Sequence, residues 1–413
     1  MPRKVIHTDK APKAIGTYSD GSTADLTTQA TWSSDDPGIA TVNTASGAAS
    51  GVALGNTTIR ATFKAIASSV VLNVTTNTWS PAASLAMGRS GHTATLLTSG
   101  KVLVIGGYGG GYLSSAEIYD PATDSWSPAG NLATARSYHS ATLLPNGKVL
   151  VVGGYSDVGI LSSAELYNPD TNAWMPTRSL ANVRGSHTTT LLNNGKVLVT
   201  GGDSGAGTAI ATAELYDPAS DSWSPAKSML VARYLHTATL LSNGKVLVAG
   251  GYSNGPGYLS SADLYDPATD TWSSATNLTT ARYFHTATLL NNGKVLIVGG
   301  NNGLILSSAE LYDPGVDSWS SAGSFETPRF LHTVTLLPND KVLVAGGSDS
   351  GFQSTPTVEI YNPSTNSWSL AGSMAAARSR YTATLLPNGM TLVVGGYVGP
   401  GPSALSSTEL YWQ

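Results

Sequence analysis

Cysteine is absent from the 413-residue chain, which removes disulfides, thiolate metal sites and cysteine nucleophiles together. Charge is scarce: 12% of residues are Asp, Glu, Lys or Arg, and 22 basic against 26 acidic residues leave a net charge of −4. No basic field exists to hold a phosphate backbone, which argues against nucleic acid as a partner. No run approaches the ~18 uninterrupted apolar residues that a membrane-spanning helix needs, and no segment carries helical periodicity. What remains is 41% hydrophobic residues with 45 Gly and 21 Pro, enough apolar content for a packed core, punctuated by turn formers.

The start, MPRKVIHTDKAPKAIG, has basic residues but lacks the apolar stretch of a secretion signal. The rest, poor in charge and rich in Ser, Thr, Asn, Gly and Ala, has the surface chemistry of proteins outside bacterial cells rather than inside.

A repeat dominates the chain. Arg233 to Trp272, RYLHTATLLSNGKVLVAGGYSNGPGYLSSADLYDPATDTW, is the same unit as Arg136 to Trp174. Histidines recur at 92, 139, 187, 236, 285 and 332, with Tyr381 in the seventh place, and tryptophans at 79, 126, 174, 223, 272, 319 and 368. Both landmarks step by 47 to 49 residues and define seven units. Each unit reads as four short strands: His-Thr-Ala-Thr, Lys-Val-Leu-Val ending in Gly-Gly, Glu-Leu-Tyr, and a strand from Trp. Between the first two lies Asn-Gly at 146–147, 194–195, 243–244, 292–293 and 388–389, which predicts a tight hairpin whose central residues take positive φ. Four-stranded units at this period make a β-propeller.

The pattern Arg-x-x-His, Gly-Gly, Glu-Leu-Tyr-Asp-Pro and Trp resembles the kelch repeat, over residues 79–412 or about four fifths of the chain. The expected fold is therefore all-β, a seven-bladed kelch propeller over residues 76–413. The chain enters on a fourth strand at Trp79 and ends on a third strand at Glu409-Leu410-Tyr411. The strand around Trp79 should then complete the last blade and remove an open seam. Residues 14–75 resemble the bacterial immunoglobulin-like domain of group 2 through Tyr18-Ser-Asp-Gly-Ser22, Thr31-Trp-Ser-Ser34, Ile39-Ala-Thr-Val42, Gly51-Val-Ala-Leu-Gly55 and Thr58-Ile-Arg-Ala-Thr62. That family's opening strand has no counterpart in residues 1–13, an atypical segment. We therefore expect a longer natural form carrying that strand and a secretion signal; the alternative is a first strand built from Lys4-Val5-Ile6-His7.

Residues repeated in every blade serve the blade. The six histidines lie in different blades, too far apart to converge on one ion, and each is expected to bond the backbone of a neighbouring blade; no metal and no cofactor is expected. The arginines at 89, 136, 184, 233, 282, 329 and 378 match one third-strand acid each, Glu117, Glu165, Glu214, Asp263, Glu310, Glu359 and Glu409, and should form repeated ties. Gly-Gly follows a strand but precedes no helix, so it reads as close packing rather than a phosphate loop. The tryptophans should pack between blades.

Residues that differ between blades make a face specific. The second-to-third-strand loops vary in length and content, and Asp203 and Asp349 stand isolated in them, without calcium-loop spacing. Between each arginine and its anchor lie two residues that are bulky in blades four to six. Tyr234, Tyr283, Phe284 and Phe330 should floor a shallow patch there, walled by Tyr252 and Tyr258, with Tyr138 from the second blade and the unpaired Arg380. Such aromatics suit sugar rings or an extended peptide. The expectation is a non-catalytic binding module of a secreted or cell-surface bacterial protein, taking a glycan or protein ligand. No blade contributes a unique Asp–Glu pair, which weighs against catalysis. Kelch resemblance also admits a carbohydrate-active enzyme of epimerase or sialidase type, or a purely structural surface component. A copper-radical oxidase, with its tyrosine cross-linked to cysteine, is excluded by the missing cysteine.

Overall fold

The computed structural model describes residues 14–17, 22–47, 49–51, 55–74, 78–399 and 404–412. All its regular elements are strands, in two compact units that divide between Thr78 and Trp79.

In the N-terminal unit, Thr31–Ser34, Gly55–Phe63 and Ile66–Val74 form a three-stranded antiparallel sheet. Ile15–Thr17 pairs with Thr23–Asp25, and Ala40–Val42 with Ala49–Gly51. Lys64, at φ 54, closes the tight hairpin that sets Phe63 opposite Ile66. Period-two alternation sends Trp32, Ile59, Ala61 and Leu72 into one core with Ala30 and Ala40. The Trp32 indole donates to the Thr27 carbonyl at 3.0 Å. The expected alternatives for residues 1–13 lie outside the described residues.

The second unit contains seven four-stranded antiparallel sheets. Their innermost strands, from Thr93–Leu96 to Thr382–Leu385, each touch the next, and the last touches the first, so the ring closes. Each second strand is buried along its whole length because a blade packs on both of its faces. In Val102–Ile105, Val102 and Val104 meet Leu392 and Val394 of the seventh blade, while Leu103 and Ile105 meet Val149 and Val151 of the second. This two-sided burial is why the strand reads as an unbroken apolar run.

The seam closes as the strand count requires: Thr78–Ala82 lies beside Thr408–Trp412 as the outermost strand of the seventh blade. Trp79 stands 5.0 Å from the Tyr411 ring, and its indole donates to the Gly372 carbonyl of blade six at 2.5 Å. The other six tryptophans repeat both contacts. Trp272, for example, stacks on Tyr265 at 5.0 Å and donates to the Lys227 carbonyl of the preceding blade at 2.7 Å.

The Asn-Gly turns differ from the expected geometry. Gly147 has φ 80 and Asn146 is not left-handed; Gly147 N–H donates to Leu144 C=O, and Leu144 N–H to Lys148 C=O. This is a turn with a single left-handed residue that forms a bulge, rather than one with two positive φ values. Asn146 contributes through its side chain, which accepts from Lys148 N–H. In blade six Asp340 takes the left-handed place at φ 65.

Every blade is tied by its arginine. The Arg282 guanidinium donates to Glu310 at 2.7 Å and to the carbonyls of Gly299 and Ser308 at 2.7 and 3.0 Å. Glu310 in turn accepts Thr279 and Thr280 N–H. One ion pair thus joins the second strand, the third strand and the connection from the previous blade. All seven pairs form, at 2.6–3.0 Å, around arginines with no exposure. The longest belongs to Asp263, whose side chain is one methylene shorter, and burial pushes its carboxyl up against the opposing pull of Arg233. Gly-Gly is required beside this tie. A Cβ on Gly299 (φ 61) would sit 2.5 Å from the Arg329 carbonyl of the next blade, and one on Gly300 (φ 100) 2.8 Å from the Tyr283 carbonyl.

Two outcomes are expected. Removing residues 1–82 should abolish cooperative urea unfolding of the propeller, whereas removing 1–74 should leave it intact; equal behaviour would refute the closure. Arg282→Ala should destabilise the propeller by about 3–5 kcal/mol, since it strands a buried carboxylate, measured as the shift of the unfolding midpoint.

Candidate functional site

Where the chain enters each innermost strand, the residue after the arginine pairs with the residue after Gly-Gly: Ser90 with Tyr108, Ser137 with Tyr155, Gly185 with Asp203, Tyr234 with Tyr252, Tyr283 with Asn301, Phe330 with Ser348 and Ser379 with Tyr397. The following residue is left-handed in all seven blades, at φ 48 to 60: Gly91, Tyr138, Ser186, Leu235, Phe284, Leu331 and Arg380. Their peptides form a closed circuit. Each N–H donates to the carbonyl of the equivalent residue one blade back, from 2.9 Å for Tyr138 to Gly91 up to 3.4 Å for Leu331 to Phe284, and Gly91 completes the circle by donating to Arg380 at 2.9 Å. A left-handed conformation costs a non-glycine residue about 1–2 kcal/mol, and the circuit offsets that by pairing every N–H it uses.

Beneath the circuit the histidines line the channel. His139, His187, His236, His285, His332 and His92 each share a hydrogen bond with a hydroxyl on the neighbouring innermost strand: Thr93, Ser140, Thr188, Thr237, Thr286 and Thr382, at 2.8–3.0 Å. The partner is therefore a side-chain hydroxyl, not the backbone that the sequence suggested; the Thr or Ser directly after the anchor residue of the preceding blade supplies it, and for His92 that is Thr382, after Tyr381. Tyr381 fits the same slot, accepting from Thr333 at 2.9 Å and donating to the Ala345 carbonyl. Among the described residues no three His, Asp or Glu side chains gather to hold a metal ion.

Above the circuit the face is aromatic. Six of the expected residues form one continuous chain: Tyr234, Tyr252, Tyr258, Tyr283, Phe284 and Phe330, with successive rings 4.8–6.0 Å apart. Tyr252 and Tyr258 face each other across a short hairpin raised on blade four. Phe330 is buried at 8% exposure, so it is floor rather than contact surface, while Tyr258 is exposed. Tyr138 stands apart from this chain, against Tyr155 at 6.1 Å.

A hollow of about 610 Å³ lies towards the opposite side of the ring. It takes Tyr138, Tyr234, Phe284 and Arg380 from the expected set and adds Tyr108, Tyr112, Tyr155 and Tyr397. Tyr252, Tyr258, Tyr283 and Phe330 do not line it. Three of the four added tyrosines have a sequence signal: Tyr108, Tyr155 and Tyr397 directly follow the strand-ending Gly-Gly, the position that pairs with the first residue after each arginine, whereas Tyr112 comes from the loop and bridges to Tyr108. A smaller hollow of about 270 Å³ at the channel mouth shares Tyr138, Phe284 and Arg380.

Two charged groups stand in or beside this hollow. Asp203 is buried and occupied, accepting from the Tyr155 hydroxyl at 3.0 Å and from Gly205 N–H at 2.9 Å. Arg380 is exposed, lies over the Tyr397 ring at 5.7 Å, and has no carboxylate partner among the described residues. Burial pushes the Tyr138 phenol up, with Arg380 opposing it.

Burial, and then the nearest arginine, hold the channel histidines neutral; His92, His187 and His285 are pushed down to about 3 from the ordinary 6.5. The unfolded chain takes up protons that the folded one refuses, so this stabilisation is complete above pH 6.5 and is lost as pH falls towards 3. Urea midpoints should be flat above pH 7 and decline below about 6.5. His285→Tyr, copying blade seven, should make the decline shallower; an unchanged slope would show that the histidines do not contribute.

Comparison with known proteins places these features. The model of the KLHDC2/KLHL20/DRC7 Kelch-repeats domain matches residues 55–229, and the Kelch motif matches 233–279, 282–326 and 329–375. The bacterial Ig-like domain (group 2) matches 11–74; the overlap at 55–74 belongs to the N-terminal unit. The chain is 52% identical over 62 residues to Ice-binding protein 1 of Shewanella frigidimarina (strain NCIMB 400), covering 15% of this chain and 7% of that protein. A fungal alcohol oxidase of the AA5 family, solved in complex with copper, has a TM-score of 0.69 at 18% identity, over 82% of this chain and 76% of its own. At that identity the likeness is one of fold alone. The chain's own side chains do not fit a copper centre of the tyrosine–cysteine kind, since it has no cysteine and, among the described residues, no gathered donor set. The chain belongs to the kelch-repeat β-propeller proteins and carries an N-terminal bacterial Ig-like domain of group 2.

Proposed function

We propose that the protein is a non-catalytic binding module that works at the cell surface or in the medium, with the loop face of the propeller as its ligand site. The observation that carries this reading is the asymmetric aromatic surface. Scaffold residues repeat in all seven blades, yet the same face gathers a chain of rings on blades four to six and a tyrosine-lined hollow on the other side. Tyrosines with an apolar body and a polar tip are well suited to recognition. Chemistry would need acid and base groups held at different pKa values; here the buried Asp203 is bonded to Tyr155 and a backbone N–H, and the channel histidines are bonded to hydroxyls. The bacterial Ig-like domain and the similarity to a segment of an ice-binding protein support a surface location.

The test is a glycan and peptide array probed with the intact protein. Tyr234→Ala and Phe284→Gly should each weaken binding of any hit at least about tenfold, as loss of one aromatic contact does. Both should leave the unfolding midpoint close to wild type; Phe330→Ala should lower it as well, because that ring is buried. Turnover of a hit would replace this reading by an enzymatic one. Recovery of the native protein wholly from the cytosolic fraction would refute the surface location.

A further inference from the structure

The circuit of left-handed residues has one cheap occupant, glycine, and only the first blade uses it, at Gly91. The other blades hold side chains there at about 1–2 kcal/mol each. Backbone strain kept where a cheaper residue would serve points to a role outside stability. Three of these side chains, Tyr138, Phe284 and Arg380, line both the upper hollow and the channel mouth. The seventh blade contributes the exposed cation that no carboxylate meets among the described residues.

The backbone at this face is already committed. The circuit uses the N–H and C=O groups of its seven residues, and the residue before each is bridged to the residue after Gly-Gly. An extended peptide adding to this rim as a strand would find these groups taken. What the hollow offers is ring faces, phenol and serine hydroxyls and one guanidinium, within a volume usual for small-ligand sites. Ring faces stack on the C–H face of a pyranose, hydroxyls bond its hydroxyls, and a guanidinium takes a carboxylate in a fork.

Resting on the binding reading above, we propose that the hollow takes a carboxylate-bearing saccharide of the uronic acid class, with the carboxylate on Arg380 and the sugar ring against Phe284 or Tyr138. The circuit position is then the element that sets specificity.

The experiment uses the full chain and calorimetric titration with hexamers of galacturonate, guluronate and mannuronate, and with the methyl ester of each, which keeps the ring and removes the charge. At least one free acid should bind, and its ester at least about tenfold more weakly, the loss expected for a charge-assisted hydrogen bond. Arg380→Gln should reproduce that loss with the free acid and leave the ester unaffected. Arg178→Gln, an exposed arginine just beyond an outermost strand, should change neither. Arg380→Gly should unfold no earlier than wild type, so lost binding cannot be ascribed to misfolding. Equal binding of acid and ester, or binding indifferent to Arg380→Gln, would overturn the proposal while leaving a saccharide site in place. No binding of any hexamer would also overturn it. A peptide hit on the array that is sensitive to Phe284→Gly would then keep the face as a site for a different ligand, and an empty array would remove the binding reading as well.

Discussion

A guanidinium with no access to water has to be neutralised and hydrogen-bonded where it sits, and this chain sets that requirement in every blade. The acid that answers it must come from the third strand at a fixed height, and Glu or Asp is found there in all seven units. The carbonyls that share the arginine's donors lie at Gly-Gly and at the start of the third strand, which sets the spacing between second and third strands. The carboxylate's remaining lone pairs take N–H groups from the incoming connection, which sets where the previous blade stops. Replacing such a pair by apolar residues can be neutral in principle, but removing one partner is not. The network therefore persists as a unit, holding arginine and acid 28 to 31 residues apart in every blade.

Period, blade closure and arginine pairing were legible in the sequence because each is a one-to-one match between repeated residues. Seven arginines against seven acids leave little freedom, and a first outermost strand without its blade has one place to go. The partner of the histidines was harder to read. A buried imidazole needs a partner, but the sequence does not say whether a carbonyl or the adjacent strand's hydroxyl stands nearer; the stagger between neighbouring innermost strands decides it. The Asn-Gly hairpin departs from its expected form for a related reason. The dipeptide serves two turn geometries, and the length of the loop from Leu144 to Lys148 selects the bulged one.

The candidate site was legible in part. Bulky residues after the arginines could be seen to share a face, and four of them, Tyr234, Tyr283, Phe284 and Phe330, meet Tyr252 and Tyr258 of the blade-four loop as one chain of rings. Their placement relative to the hollow could not be seen, because that depends on which side of the ring the loops leave open. The second-to-third-strand loop of blade four folds into a hairpin over its own tyrosines, so those rings contact one another rather than an open hollow. Tyr108, Tyr112, Tyr155 and Tyr397, from blades one, two and seven, line the hollow instead.

The left-handed circuit gives no sequence signal of the usual kind, since only one of its seven members is glycine. It is a consequence of closure. Seven chains turning inward at one height bring seven peptide groups within reach of one another, and the dihedral that joins N–H to C=O around that circle is positive. The backbone thus fixes the conformation of the position, and the identity of its side chain is left free. A position that is rigid in backbone, variable in side chain and set at the mouth of a channel combines low ordering entropy on binding with freedom to diverge. On this propeller those conditions coincide at the circuit.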